Sequence, residues 1–191
     1  MKIYFAADHA GFELKNILVE FVRTLGYEVE DCGVSALDTN DDYPPIVIRA
    51  AKKVAQDIRN GIISRAIILG GSGEGEAMVA NRLQGVRAAV FYGPPSPQLR
   101  QGFNGYSKAT DGQSAPVRLQ RDISGHTIDV LTSSRAHNNA NVLALGARFL
   151  NEDEAKDAVQ KWLSAAFGGE ERHTRRIKQI DELTGDVERI K

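Results

Sequence analysis

The run Gly70-Gly71-Ser72-Gly73-Glu74-Gly75-Glu76 combines four glycines with two carboxylates and a hydroxyl. It lies between a short apolar segment and a helix expected to begin near Ala77. Without side chains in the way, backbone N–H groups of such a loop can converge, and a helix N-terminus adds partial positive charge. Together they can hold an anion or a developing oxyanion. A carboxylate beside that pocket, Glu76, is placed to remove a proton. Acidic residues also favour the first turn of a helix, so a plain strand-to-helix turn explains the same letters. No Lys-Ser/Thr pair follows, as a P-loop requires. Gly71, Gly73 and Glu76 fall at dinucleotide-loop spacing, but with a carboxylate where the third glycine belongs.

Three further groups have chemically useful types. Asp8-His9 closes the first apolar segment and can orient a hydroxyl and a phosphate, or simply cap a helical turn. His137-Asn138-Asn139 directly precedes another apolar segment and is expected at the same ligand edge. A histidine there can shuttle a proton at neutral pH or serve as a solvated structural residue. Arg172 and Arg176 are four residues apart, so on a helix they share one face. That face can grip one phosphate or remain a solvated basic surface. Cys32 is read as apolar filler at a strand end. No His/Cys cluster has zinc spacing and no Ser-His-Asp signature is present.

These residues need a scaffold, and the hydrophobic pattern supplies one. Residues 3–7 form a strand, and Leu14, Ile17, Leu18, Phe21, Val22 and Leu25 recur at helical spacing up to Gly26. A strand over 27–32 follows. Tyr43-Pro44-Pro45 opens a helix with Ile46, Val54 and Ile58 toward the core, closed by Gly61. Residues 65–69 are the most continuously apolar run and predict a central strand covered on both faces. Strands over 86–91 and 142–145, a helix over 152–167 and a basic tail helix after Glu170 complete the pattern. Alternating strands and helices predict an α/β, Rossmann-like three-layer sandwich around a five-stranded parallel sheet, with a C-terminal tail helix. Ligands bind such sheets at the carboxyl ends of the strands, where both Asp8-His9 and the glycine loop fall. Residues 94–132 hold Pro94, Pro95, Pro97 and Pro116 with little periodicity and predict an insertion in the unit; His126, inside it, gains no role.

Composition narrows the function classes. At 191 residues the chain reads as a single domain, 1–191, with room for a core. Its 24 Lys and Arg against 25 Asp and Glu give a net charge of -1, which offers a polyanion no overall attraction and argues against nucleic-acid binding. A lone cysteine and a start without an apolar signal core point to a reduced, cytoplasmic protein, and no apolar run is long enough to span a bilayer.

Taken together, Ala7-Asp8-His9-Ala10-Gly11, Asp42-Tyr43-Pro44, the run from Gly70 to Glu76, Ala80-Asn81-Arg82, Gly85-Val86-Arg87-Ala88, His137-Asn138-Asn139-Ala140-Asn141, Gly146-Ala147-Arg148 and Arg172-His173 resemble the ribose-5-phosphate isomerase B family. Their order and spacing match along nearly the whole chain outside the segment after Gly93. The resemblance implies cofactor-free, metal-independent aldose–ketose isomerisation of sugar phosphates. It also implies a homodimer, or a dimer of dimers, whose sites take residues from both subunits. On that basis Asp8 binds sugar hydroxyls, His9 the phosphate, and Tyr43 lines the pocket. Gly71, Ser72, Gly73 and Gly75 form the anion hole for an enediolate. His137 opens the furanose ring, Asn138 supports the enediolate, and Arg148, Arg172 and Arg176 contact the phosphate. Many members carry a cysteine base where this chain has Gly70, whereas another branch uses a glutamate placed as Glu76 is. The chain resembles that second branch.

Ribose 5-phosphate and ribulose 5-phosphate are therefore the expected substrate pair. A six-carbon phosphate such as allose 6-phosphate or galactose 6-phosphate requires the same chemistry in a deeper pocket. A non-catalytic phosphometabolite-binding module is the alternative from another class. A nicotinamide oxidoreductase is disfavoured, because the glycine pattern does not follow the first strand. For Glu76 two effects oppose each other: a helix N-terminus favours the carboxylate, and burial favours the acid.

Overall fold

A computed structural model describes residues 1–93, 123–124 and 129–184. Most of the expected insertion, including His126, and the chain beyond residue 184 lie outside the described residues.

Five strands, β1 (Lys2–Ala7), β2 (Glu28–Asp31), β3 (Ser64–Gly70), β4 (Ala88–Phe91) and β5 (Val142–Gly146), form one sheet in the order β2-β1-β3-β5-β4. Every neighbouring pair is parallel. β3 is the centre, and all seven of its residues are buried, as a strand covered on both faces must be.

The helices are α1 (Phe12–Thr24), α2 (Tyr43–Arg59), α3 (Glu74–Ala80), α4 (Val130–Asn138), α5 (Glu152–Ser164) and α6 (Glu171–Thr184). On one face of the sheet Ile3, Phe5, Ile67 and Leu143 pack against Leu18 and Val22 of α1 and Trp162 of α5. On the other face Tyr4, Ala6, Ile68 and Ala144 meet Val47, Ala51 and Val54 of α2 and Ala77 and Ala80 of α3. Period-two alternation in the strands thus feeds two apolar layers.

Local signals set the boundaries. Pro44-Pro45 occupy the first turn of α2, where missing N–H groups cost nothing. α5 begins with a capping box, Asn151 Oδ1 accepting from Glu154 N at 2.9 Å and Glu154 Oε2 accepting from Asn151 N at 3.0 Å. α1 ends before Gly26, whose φ is 84°.

Two features differ from the sequence reading. The segment assigned to residues 94–132 ends in helix: α4 begins at Val130, capped by the Asp129 carboxylate accepting from Leu131 N and Thr132 N, and Leu131 is buried. β4 starts at Ala88, because the Arg87 main chain is occupied by Asn141: Arg87 N donates to Asn141 Oδ1 at 2.8 Å and Arg87 O accepts from Asn141 N at 3.0 Å.

Candidate active site

The chain leaves β1 for β2 on one side and returns to β3 on the other, so the sheet's switch point lies between β1 and β3. Loops leaving these two strands diverge there and leave a crevice at their carboxyl ends. The loop after β1 carries Asp8 and His9, and the segment after β3 carries residues 71–73 and runs into the first turn of α3 at Glu74 and Gly75. A cavity of about 540 Å³ occupies this crevice, lined by Asp8, His9, Tyr43, Gly71, Ser72, Gly75, Glu76 and Arg148, together with Ala10 and Phe149.

Each group is held by its element. Asp8 caps a short 3-10 turn, its Oδ1 accepting from Ala10 N at 3.0 Å and Gly11 N at 3.2 Å. The capping and ligand-edge readings of Asp8 therefore coexist in one residue. Tyr43 starts α2 and crosses to the glycine loop, where a Cβ on Gly75 would stand 2.7 Å from its ring. Beyond β5, Ala147 N donates to Gly70 O at 2.8 Å and Arg148 N to Gly71 O at 3.2 Å. These bonds extend the pairing and bring the Arg148 guanidinium to 3.6 Å from a Cβ position at Gly71. Gly73 caps α3 with φ of 81°, a backbone state that glycine adopts without strain.

Glu76 lies in the first turn of α3 and is only 4% exposed. A Cβ on Gly70 would fall inside its carboxyl group. The glutamate thus fills the space into which a side chain at position 70 would project, and a cysteine there could not coexist with it in this pose. Burial raises its pKa above the ordinary carboxylate value, Asp8 pushes the same way, and the backbone N–H groups of Glu76 and Gly73 pull it down. Burial prevails over the helix terminus, which leaves Glu76 a stronger base than a solvated glutamate. Cys32 is elsewhere, packed against the α2 side of the core, and burial pushes its thiol up to about 11. It is not a competing base.

His9 donates from its main-chain N to Asp41 Oδ1 at 3.2 Å, and its Nδ1 lies 2.6 Å from the same oxygen. Asp41, absent from the sequence reading, had only its place in an acidic run before Tyr43 to mark it. Phe149 was also missed; it is exposed at the cavity wall and meets Tyr92 edge to face at 5.7 Å. One polar side-chain atom each from Asp8, His9 and Asp41 lie within 4.8 Å of one another, two carboxylates gathered around one imidazole. Both carboxylates already accept hydrogen bonds from the chain itself.

Four expected site residues stand elsewhere. His137 and Asn138 end α4 and lead into the amino end of β5, so the expectation that they share the ligand edge within one chain is corrected. In a parallel sheet, residues before a strand and residues after it occupy opposite edges. β5 has five residues, which at about 3.3 Å each separates those edges by roughly 16 Å. Arg172 and Arg176 lie on α6, which packs beside α4: His173 stacks on His137 at 4.6 Å, and Asp181 accepts from Gly85 N before β4. Both arginines are exposed, Arg172 pairing with Glu170 at 2.9 Å. One chain therefore carries two half-sets of chemical groups on opposite edges of its sheet.

The chain matches the Ribose/Galactose Isomerase family over residues 3–105 and 126–180. It belongs to that family. Among curated relatives, ribose-5-phosphate isomerase B of Mycobacterium tuberculosis is 30% identical over 182 residues, covering 95% of this chain and 89% of the relative. The protein of that name from Escherichia coli K12 is 32% identical over 179 residues, covering 94% and 93%. Among solved structures, ribose-5-phosphate isomerase B from Mycoplasma genitalium with bound ribulose-5-phosphate superposes with a TM-score of 0.73 at 30% identity, covering 97% of each chain. The Clostridium thermocellum protein gives 0.71 at 31% identity, covering 98% and 100%. In this chain the space that a side chain at position 70 would take is filled by the Glu76 carboxyl.

Proposed function

We propose that this protein is an aldose–ketose isomerase that interconverts ribose 5-phosphate and ribulose 5-phosphate through a cis-enediolate, without a metal or cofactor, with Glu76 as the base. The observation that carries this reading is the buried Glu76 carboxyl, raised in pKa and set beside the glycine loop in the cavity at the switch point. Moving a carbonyl from C1 to C2 requires removing the C2 proton. The electron pair flows to O1, which needs hydrogen-bond donors as it becomes an oxyanion. Glu76 takes the proton and returns it to C1, while the O2 proton passes to O1. The loop of Gly71, Ser72, Gly73 and Gly75 faces the oxyanion, Asp8 holds hydroxyls, and His9 and Arg148 hold the phosphate. Tyr43 closes the wall.

The opposite placement of His137, Asn138, Arg172 and Arg176 supports a homodimer or dimer of dimers in which a second copy completes each cavity. His137 of that copy opens the furanose ring by proton transfer, Asn138 supports the enediolate, and the two arginines join the phosphate site. Curated relatives with this name and a related structure holding ribulose-5-phosphate support the choice of substrate. We place the protein in the cytoplasm, a reading supported by its free Cys32; no described helix is long and apolar enough to cross a membrane.

Turnover of ribose 5-phosphate by the purified protein, with and without a chelator, is the test. Chelator-resistant production of ribulose 5-phosphate is expected. Turnover of allose 6-phosphate or galactose 6-phosphate in place of ribose 5-phosphate would overturn the substrate assignment, and binding without turnover would overturn the enzyme.

A further inference from the structure

Asp41 stands in the loop before α2, and its side chain is 8% exposed. One of its oxygens, Oδ1, meets both the main-chain N and the Nδ1 of His9, and the other, Oδ2, is buried without a hydrogen-bond partner among the described residues. Among the described residues, His9 is its only ion-pair partner. A buried carboxylate so placed needs a compensating positive charge. His9 itself lines the cavity, and with Nδ1 committed to Asp41 its remaining ring nitrogen is Nε2.

The protonation state of that ring decides what Nε2 can do. A neutral imidazole that gives its Nδ1–H to Asp41 carries a lone pair on Nε2, which repels a phosphate oxygen. An imidazolium carries an Nε2–H, which donates to it with charge assistance. We propose that Asp41 is a positioning residue for substrate binding: it fixes the His9 ring through Nδ1 and holds it as imidazolium, so that Nε2–H faces the phosphate of the sugar. This rests on the reading of the cavity as a sugar-phosphate site and adds the residue that makes His9 a competent ligand.

The surrounding charges support it. Asp8, at the end of β1, favours the imidazolium, and Arg148, beyond β5, opposes it. Tyr43 and Glu76 line the rest of the cavity. The hydrogen bond to Asp41 is the largest influence, and the His9 pKa is raised above its ordinary value. Arg148 therefore does not cancel the carboxylate.

The test compares wild type with Asp41→Asn, whose amide oxygen can still accept from Nδ1–H but carries no charge. Three quantities are followed from about pH 6 to about pH 8.5, the range in which an imidazole titrates: inorganic phosphate binding, KM for ribose 5-phosphate, and the NMR titration of the His9 ring. Taking the ratio of variant to wild type removes the titration of phosphate itself. The expected result is a loss of phosphate affinity and a rise in KM of roughly tenfold at the alkaline end, the size of one hydrogen bond to a charged group. This loss should shrink toward the acid end, where solvent protonates His9 in the variant too. The His9 ring should titrate at lower pH in Asp41→Asn. In a His9→Gln background the Asp41 substitution should add nothing. An unshifted His9 titration, or a loss equal at both ends of the range, overturns the proposal. Wild type that binds no phosphate and turns over no ribose 5-phosphate overturns the site reading instead. If Asp41→Asn does not fold, Asp41→Glu takes its place, with phosphate affinity at or near wild type expected and its full loss counting against the proposal.

Discussion

At the scale of single residues, the account turns on one buried carboxyl. Replacing Glu76 by Gln should keep the shape of the loop and lose the base, so kcat should fall by about 10²- to 10⁴-fold, the usual range for a positioned acid–base group; steady-state kinetics on ribose 5-phosphate checks this. Because burial raises its pKa and the base must be ionised, kcat/KM should decline as pH falls through that raised value. The acid limb of the profile should therefore lie above the ordinary glutamate pKa of about 4.3. The same shift has a sign for stability. A folded-state pKa above the unfolded value gives stability that is present at low pH and lost as pH rises through the folded value. Above that value it is gone, so at a pH above it Glu76→Gln, which mimics the protonated acid, should melt at a temperature equal to or above wild type. Gly70→Ala is the converse probe: its Cβ would displace the carboxyl and should cost activity on the scale of losing the base. The glycine loop and Glu76 were legible in the sequence because their chemistry is carried by residue type. Asp41 was not, because its role depends on a tertiary contact across 32 positions.

At the scale of elements, strong periodicity was readable and weak periodicity was not. β3, α1 and α2 announce themselves through unbroken or helically spaced apolar residues. α4 does not: Thr132, Ser133 and Ser134 have modest helix propensity, and its buried positions include Arg135. Tertiary bonds hold it instead, with Arg135 Nη1 donating to Ala140 O at 2.6 Å and Ser134 Oγ accepting from Trp162 Nε1 at 3.2 Å. α4 therefore depends on its cap as well. Asp129→Ala should lower stability by about 1 kcal/mol, the usual cost of removing a helix N-cap, measured by chemical denaturation. Because α4 carries His137 in its last turn, the same variant should lower kcat even where the protein remains folded. The misplaced edge of His137 has a topological cause. Adjacency to a strand in sequence does not say which end of the strand is adjacent, and in a parallel sheet the two ends are opposite edges.

At the scale of the whole molecule, the parallel topology that gathers Asp8, Glu76 and Arg148 at one edge sends His137, Asn138 and the α6 arginines to the other. A complete cavity on this account takes one edge from each of two copies. Glu76→Gln and His137→Asn are thus expected to be inactive alone and to complement each other. In a mixed dimer, one site inherits both lesions and the other inherits neither. Random pairing makes half the dimers mixed, each with one intact site of two, so co-expressed variants should recover about a quarter of wild-type kcat per subunit. Recovery near that fraction, from two inactive parents, is the result predicted. Either no recovery from the mixture or full activity in the Glu76→Gln parent would contradict a shared site built around Glu76.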